Sequence, residues 1–166
     1  MTSAAREVLE DCRGALAELT DGIQGRQWRR RWITSIVLLR AVGHVLKNVD
    51  GKRSPEYRTA INDRWKHLKS TKPDNMILWS FIEEERNTIL KEYQTRAGQG
   101  VTVRPGGVGI DLQTGEHKAD PPLPAIYHYT INTGPFAGRD QRELIAEGIA
   151  WWEKELDAID AAAGAA

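Results

Sequence analysis

A long apolar helical pattern from about Gln27 to Val49 constrains the fold of this chain more than any other feature. Apolar residues lie around most of its circumference, and Asp50-Gly51 supplies its end signal. The most apolar part, from Trp32 to Leu46, contains Arg40 and His44 and is too short and too polar to cross a bilayer. We therefore expect the buried central helix of a soluble protein that has no membrane partner.

Helical periodicity and capping signals predict four more helices. They extend from about Ser3 to Gly22, from Ser54-Pro55 to the residues before Pro73, from about Asn75 to Arg96, and from Asp140 to near the C-terminal end. The expected N-terminal caps are Ser54, Asp74 and the pair Asp140 and Glu143. The last helix carries a stripe that the bundle or another chain must cover, formed by Ile145, Ile149, Trp152, Leu156 and Ile159.

The segment 99–138 has a different character, because it holds more than half of the chain's glycines and prolines taken together. Two short runs in it, Val101–Val103 and Ile126–Ile131, have the β-branched and aromatic composition of strands. The expected fold class is therefore all-α. We predict a single domain of residues 1–166, a five-helix bundle with a small β-hairpin or sheet inserted between helices 4 and 5.

Composition narrows the classes of function. Lys plus Arg equals Asp plus Glu at 23 each, so the chain as a whole lacks the positive charge typical of non-specific nucleic-acid binding, and any RNA or nucleotide site must be a local patch. The single Cys12 cannot form an internal disulfide, and Met1–Glu7 leads into a charged helix, which favours a cytoplasmic protein. No spacing of His, Cys and carboxylates indicates a metal site, and no cofactor is predicted.

The fourth predicted helix carries more polar chemistry than packing requires. Its apolar face comprises Leu78, Phe81, Ile82, Ile89 and Tyr93, with Glu85 in the middle. A buried carboxylate needs a partner. The expected partners are Arg40 and His44, which form a polar strip on the second helix with Lys47. The functional interpretation is a polar pocket between these two helices, and the alternatives are a structural ion pair or a solvated face.

The spacing of Arg86-Asn87, Lys91 and Tyr93 resembles the Arg-x4-His-x-Tyr signature of HEPN domains. These are helical modules that include metal-independent ribonucleases and the toxins of nucleotidyltransferase-paired systems. The resemblance covers residues 83–93 and the surrounding helical pattern. It implies that Arg86 holds the scissile phosphate, that Asn87 is the polar residue after it and that Tyr93 is the terminal aromatic. It also implies a homodimer in which two copies of the motif face each other.

Lys91 occupies the histidine position of that signature. An unperturbed lysine titrates near pH ~10.4, so it is a poor general base at neutral pH, although it can neutralise a phosphate. We therefore expect an RNA- or nucleotide-binding protein with weak or no ribonuclease activity, in a defence or toxin–antitoxin assembly as the family implies. In an alternative that restores catalysis, His44 supplies the imidazole. A ligand-binding Arg86 should lie in an open groove, whereas a structural one should be locked to Glu83 or another acid.

Two other features are candidates for function. Arg29, Arg30 and Arg31 lie between tryptophans at the start of the second helix, where they could bind phosphate or RNA. Alternatively, they extend to solvent or pair with acids of the first helix. The second functional hypothesis is a protein-interaction or structural module, which would use the β segment together with Trp151 and Trp152 of the last helix.

Overall fold

The computed structural model describes residues 1–103, 106, 108–110, 113–114, 117–119 and 123–165. Within these residues the α-helices are α1 (Ser3–Ala17), α2 (Gly25–Asn48), α3 (Pro55–Ser70), α4 (Glu84–Glu92) and α5 (Gln141–Gly164). A π-helix (Ile77–Glu83, the π-segment) leads directly into α4, and 3-10 turns lie at Asp50–Lys52 and Lys72–Asn75. Two antiparallel strand pairs lie between α4 and α5, β1 (Ala97–Thr102) with β4 (Ile126–Ile131) and β2 (Val108–Ile110) with β3 (His117–Ala119). The predicted five-helix bundle with a small β insertion is confirmed.

The central helix of the bundle is α2, which contacts the other four α-helices. Its buried face is formed by Trp28, Trp32, Ile36, Leu39, Val42 and Leu46, which recur at three- and four-residue spacing. Val37 on the helix is 39 % exposed and Val49 just beyond it is 47 % exposed. The helix is therefore buried on one face, although apolar residues also occur outside that face. Among the described helices, none has the length and hydropathy to span a membrane.

The stripe predicted on the last helix is covered by the bundle. Ile145, Ile149, Trp152, Leu156 and Ile159 are all buried, because α5 packs against α1, α2 and α3. The Asp140 side chain accepts hydrogen bonds from the backbone N–H groups of Arg142 and Glu143, as expected of an N-cap. A second chain is therefore not required to bury this stripe.

The fourth helix differs from the prediction in its boundaries and in its regularity. Asp74 lies within a 3-10 turn and does not cap a helix. The regular part, α4, ends before Tyr93, which has a left-handed backbone (φ 51°). A left-handed conformation costs a non-glycine residue about 1–2 kcal/mol. Arg29 offsets this cost by donating a hydrogen bond to the Tyr93 carbonyl and by lying over its ring. The first helix also ends early, at Ala17 rather than near Gly22.

The β1–β4 pair is anchored to the helical bundle. Tyr129 of β4 stacks on Trp28 of α2, with ring centroids 3.6 Å apart. Gln141 at the start of α5 accepts a hydrogen bond from the Trp28 indole and donates to the carbonyls of Gly98 in β1 and Thr130 in β4. The base of the predicted insertion is thereby fixed. Positions 104–105, 107, 111–112, 115–116 and 120–122 of that insertion lie outside the described residues.

Candidate functional site

An open groove of about 440 Å³ lies between α2, α3 and the π-segment. We call it the basic groove, and its lining residues are Arg40, Gly43, His44, Lys47, Asn62, Trp65, Lys66, Lys69, Trp79 and Glu83. On α2, Arg40, His44 and Lys47 are spaced by three or four positions, and so are Asn62, Lys66 and Lys69 on α3, which places each set on one helix face. Two polar helix faces therefore meet across the groove.

The basic groove has a clear excess of positive charge. Arg40, Lys47, Lys66 and Lys69 line it together with a single carboxylate, that of Glu83. Arg40 Nε donates to Glu83 Oε2 at 2.9 Å, and Lys66 Nζ lies 3.0 Å from Asp63. Within the described part of the chain, neither Lys47 nor Lys69 has a carboxylate within ion-pair distance. Their charges are available to an anionic ligand.

Two tryptophans supply aromatic surface in the same groove. The rings of Trp65 and Trp79 meet edge to face, with centroids 6.3 Å apart. The Trp79 indole N–H donates to the Leu68 carbonyl at 3.1 Å, which fixes its orientation, and Lys72 Nζ lies 4.9 Å from the ring centroid. Gly43 permits close approach of α2, because a Cβ there would lie 2.8 Å from the Trp152 ring. The groove thus combines exposed lysines with half-buried indoles.

The π-segment contributes Trp79 and Glu83 to the groove. A π-helix is rare and is often found at functional sites, because its wider turn redirects side chains that a regular helix would place elsewhere. Downstream of it, Arg96 donates to the Ser80 carbonyl at 3.2 Å. The irregular helix is therefore held by contacts from outside the groove.

His44 lines the groove with an imidazole, the side chain whose ordinary pKa lies closest to pH 7. Burial lowers the pKa of His44 below its usual range, and the charges of Arg40 and Arg86 lower it further, against the opposing effect of Glu83. The imidazole is therefore neutral at pH 7 and can either accept or donate a hydrogen bond. This is the protonation state that a general base requires, although no proton transfer is implied by the geometry alone.

Arg86 lines neither the basic groove nor a neighbouring hollow beside Trp79, although its charge acts on His44, and it is not locked to an acid. Its Nη1 donates to Oδ1 of Asn87 at 2.9 Å, and the described residues place no carboxylate within ion-pair distance of it. Glu83, the acid expected for a structural arginine, is bound to Arg40 instead. Asn87 lines a neighbouring hollow of about 600 Å³, the second depression, which shares Trp79 and Glu83 with the basic groove.

The partners predicted for Glu85 are wrong. Its side chain is 1 % exposed, and it accepts hydrogen bonds from the Trp32 indole at 3.0 Å and from the backbone N and Nε of Arg96 at 3.1 and 3.0 Å. Arg40 and His44 lie in the groove, whereas Glu85 faces the core beside Trp32. Because α4 ends at Glu92, the chain turns back and brings Arg96 to the carboxylate. Glu85 therefore forms a structural ion pair with Arg96, which is one of the alternatives that the sequence left open.

The remaining motif positions do not converge on the groove. Tyr93 is 66 % exposed and lies under the Arg29 guanidinium, 4.4 Å from it. Arg29 and His44 are fifteen residues apart on α2, a separation of about 22 Å along the helix axis. Lys91 is exposed and lines neither the basic groove nor the second depression.

The three arginines at the start of α2, Arg29, Arg30 and Arg31, do not line the basic groove either. Arg30 is exposed, and Arg31 donates to the Glu18 carbonyl and lies 3.8 Å from the Glu18 carboxylate. For Arg31 the alternative of pairing with an acid beside the first helix is therefore correct. Arg29 is used to support the backbone at Tyr93.

The sequence interpretation identified the α2 side of the groove and missed the α3 side. The missed residues are Asn62, Trp65, Lys66, Lys69 and Trp79. A signal was present, since Asn62, Lys66 and Lys69 recur at helical spacing, but such a stripe is usually only a solvated face. Nothing in the periodicity of α3 shows which helix it packs against.

Among the described residues, no group of three or more His, Cys, Asp or Glu side chains is arranged to hold a metal ion. Comparison of the chain with family models, with curated proteins and with solved structures finds no match. The groove geometry is therefore the basis for assigning a function.

Proposed function

We propose that this protein binds RNA or a nucleotide in the basic groove, as a HEPN-like protein with weak or no ribonuclease activity. The observation that carries the proposal is the convergence of four cationic side chains on two half-buried indoles, opposed by one carboxylate that is already paired. Phosphate is the ligand group that such cations bind, and indole faces accept bases by stacking. Arg86, unpaired with any described acid, lies near enough to add to the positive potential.

The energies involved favour a ligand that has both a phosphate and a base. Lys72 covers Trp79 through a cation–π contact, which contributes about 0.5–1 kcal/mol at an exposed site. A stacked base contributes about 1–3 kcal/mol. A base can therefore displace the Lys72 ammonium from the ring and leave it free to approach a phosphate.

Weak or absent cleavage follows from the position of the motif residues. Lys91, in the histidine position, is outside the groove that contains the free cations. Among the described residues, His44 is the only imidazole that lines the groove, and its lowered pKa leaves it able to take a proton. In a HEPN-like homodimer the exposed α4 surface, with Leu90 and Lys91, would face the second copy.

Binding to a mixed RNA pool in the presence of a chelator tests the proposal. Lys47→Glu and Lys69→Glu should each weaken binding at least tenfold and reduce its dependence on salt, because each variant removes a cation and adds a repulsive charge. Lys154→Glu is the matched control, since this exposed lysine of α5 lines neither the groove nor the second depression. Equal binding by all four proteins would refute the groove as the site.

The HEPN part of the proposal has a separate test. Arg86→Ala should weaken binding, and Lys91→His should gain cleavage if α4 forms the active centre of a dimer. If any cleavage by the natural sequence is lost in His44→Ala, the imidazole of the groove is the proton acceptor instead. No cleavage by any variant, together with intact binding, would support a binding protein only.

A protein-interaction module is the second candidate, and one observation favours it. Exposed apolar side chains occur on and beside the β1–β4 pair, namely Val101, Val103, Leu123 and Ile126. On α5, Trp152 is buried, whereas Trp151 is half-buried with its indole N–H bonded to Asn75. The β segment therefore offers the more exposed apolar surface of the two parts named in this hypothesis.

A further inference from the structure

The two hollows on either side of Trp79 differ in chemistry. Among the described residues, the basic groove holds Lys47 and Lys69 without acidic partners, whereas Lys72 is the only cation that lines the second depression. Both carboxylates of the depression are engaged elsewhere, that of Glu83 by Arg40 and that of Glu84 by Arg96. The groove, which holds more cationic side chains, therefore attracts a phosphate more strongly than the depression does.

The second depression has the features of a site for a flat, polar ring. Pro73 and Met76 form apolar walls, and Met76 is 42 % exposed. Ser80 and Asn87 supply polar groups beside them. An apolar hollow with a few convergent polar groups is the usual form of a small-molecule site.

Arg86 orients the amide of Asn87. Because its Nη1 donates to Asn87 Oδ1 at 2.9 Å, the Asn87 oxygen is occupied and the amide –NH2 is directed away from the guanidinium. Within the part of the chain that the structure describes, neither this –NH2 nor the Ser80 hydroxyl has a hydrogen-bond partner. An amide donor and a hydroxyl can bond to the edge of a base, whose carbonyl oxygens and ring nitrogens are acceptors.

We propose that the second depression is a nucleobase subsite of the same binding site. A single nucleotide would span Trp79, with its phosphate in the basic groove and its base in the depression, stacked on Trp79 and bonded to Asn87. This inference rests on the proposed function, because it requires phosphate binding in the groove. It makes Asn87 a specificity residue and Arg86 a positioning residue that acts through it.

Calorimetric titration with inorganic pyrophosphate, with nucleoside 5′-diphosphates and with a trinucleotide tests the assignment. Pyrophosphate reports the groove alone, and the diphosphates add one base. We expect at least one diphosphate to bind about tenfold more tightly than pyrophosphate, as a stacked base would give. Asn87→Ala and Met76→Ala should remove that gain while leaving pyrophosphate binding unchanged. Asn48→Ala, at the exposed end of α2, is the matched control.

The outcomes separate this inference from the proposed function. If pyrophosphate binds and no base adds affinity to either the diphosphates or the trinucleotide, the subsite is refuted and the groove stands. If none of the ligands binds, the groove itself is refuted. If a base adds affinity only in the trinucleotide, and this added affinity depends on Asn87, the subsite is supported and its natural ligand is a strand. If a base adds the same affinity in a diphosphate, the subsite is supported and its natural ligand is a free nucleotide. Because Met76 has an exposed side chain, Met76→Ala still tests the subsite if Asn87→Ala fails to fold.

Discussion

Replacing Glu85 by alanine should destabilise the protein far more than replacing its neighbour Glu84, although both carboxylates bind Arg96. The Glu84 pair has a distance of 3.2 Å and a carboxylate that is 56 % exposed. Exposed pairs of this kind contribute about 0.2–1 kcal/mol. The Glu85 pair has a distance of 3.0 Å and a carboxylate that is 1 % exposed. Breaking a buried pair by removing one partner costs about 3–5 kcal/mol.

The contacts of Glu85 explain that difference. Its removal leaves the fully buried Trp32 indole N–H without an acceptor, and a buried unsatisfied donor alone costs about 1–3 kcal/mol. It also leaves Arg96, whose side chain is only 20 % exposed, without its buried partner. Glu85→Gln should be intermediate, since an amide oxygen can still accept from Trp32 while the charge is lost.

Urea denaturation followed by tryptophan fluorescence and by circular dichroism measures these free energies of unfolding. For a chain of this size, each kcal/mol corresponds to about 2–4 °C in Tm, so Glu85→Ala should lower Tm by roughly 6–20 °C. The slope of the free energy with urea should be unchanged. A Glu85→Ala variant within about 1 kcal/mol of Glu84→Ala would refute the view that this ion pair fixes the turn after α4.

Three further predictions concern packing and pH. Gly43→Ala should destabilise the protein by about 1–3 kcal/mol through its clash with Trp152, whereas Gly14→Ala on α1, with open space around it, should stabilise it by about 0.5–1 kcal/mol in thermal melts. Burial raises the pKa of Asp160, but hydrogen bonds from its neighbours outweigh burial, so the pKa is lowered overall. The stability that these bonds contribute is therefore present at pH values above the ordinary pKa of an aspartate and is lost as the pH falls through the lowered pKa. Asp160→Asn should therefore show a smaller fall in Tm between about pH 6 and pH 3 than the natural sequence. Because the pKa of His44 is lowered, affinity for a phosphodiester should rise only as pH falls below about 6.5, and His44→Gln should remove that rise.

Each of these predictions has a result that contradicts it. If Gly43→Ala and Gly14→Ala changed the stability of the protein in the same direction, the Trp152 ring would have to move away from position 43 at no cost. An unchanged pH profile in Asp160→Asn would show that the bonds from Arg6, Thr2 and Tyr57 to Asp160 are equally strong to a neutral group. A dinucleotide is the right ligand for the pH test, because its phosphodiester does not titrate in that range.

Much of the fold follows from local patterns in the sequence. The apolar spacing on α5 and the cap at Asp140 are both correct, because a helix face and a capping bond depend on residues within a few positions of each other. The end of α4 could not be found in this way. The left-handed Tyr93 at that end is supported by Arg29, more than sixty positions earlier, which donates a hydrogen bond to its carbonyl.

The candidate site shows the same division. Arg40, His44 and Lys47 form a visible polar strip on one helix, and the structure places all three in the basic groove. The charged partner of Glu85 was assigned wrongly, because Arg96 reaches it only after the chain leaves the helix. Arg86 and Tyr93 fit a motif in sequence, yet the end of α4 between them directs their side chains to different parts of the surface.

By itself, the sequence determined the helices, their buried faces and the cationic side chains on α2, since these depend on short-range spacing and on the chemistry of each residue. Only the tertiary structure decided that Lys69 of α3 and Lys47 of α2 line the same groove as Trp79. Which helix faces meet is set by the packing of the whole core, in which Trp65 and Trp152 fit against Gly43. Such contacts join residues far apart in the chain, so no local period encodes them.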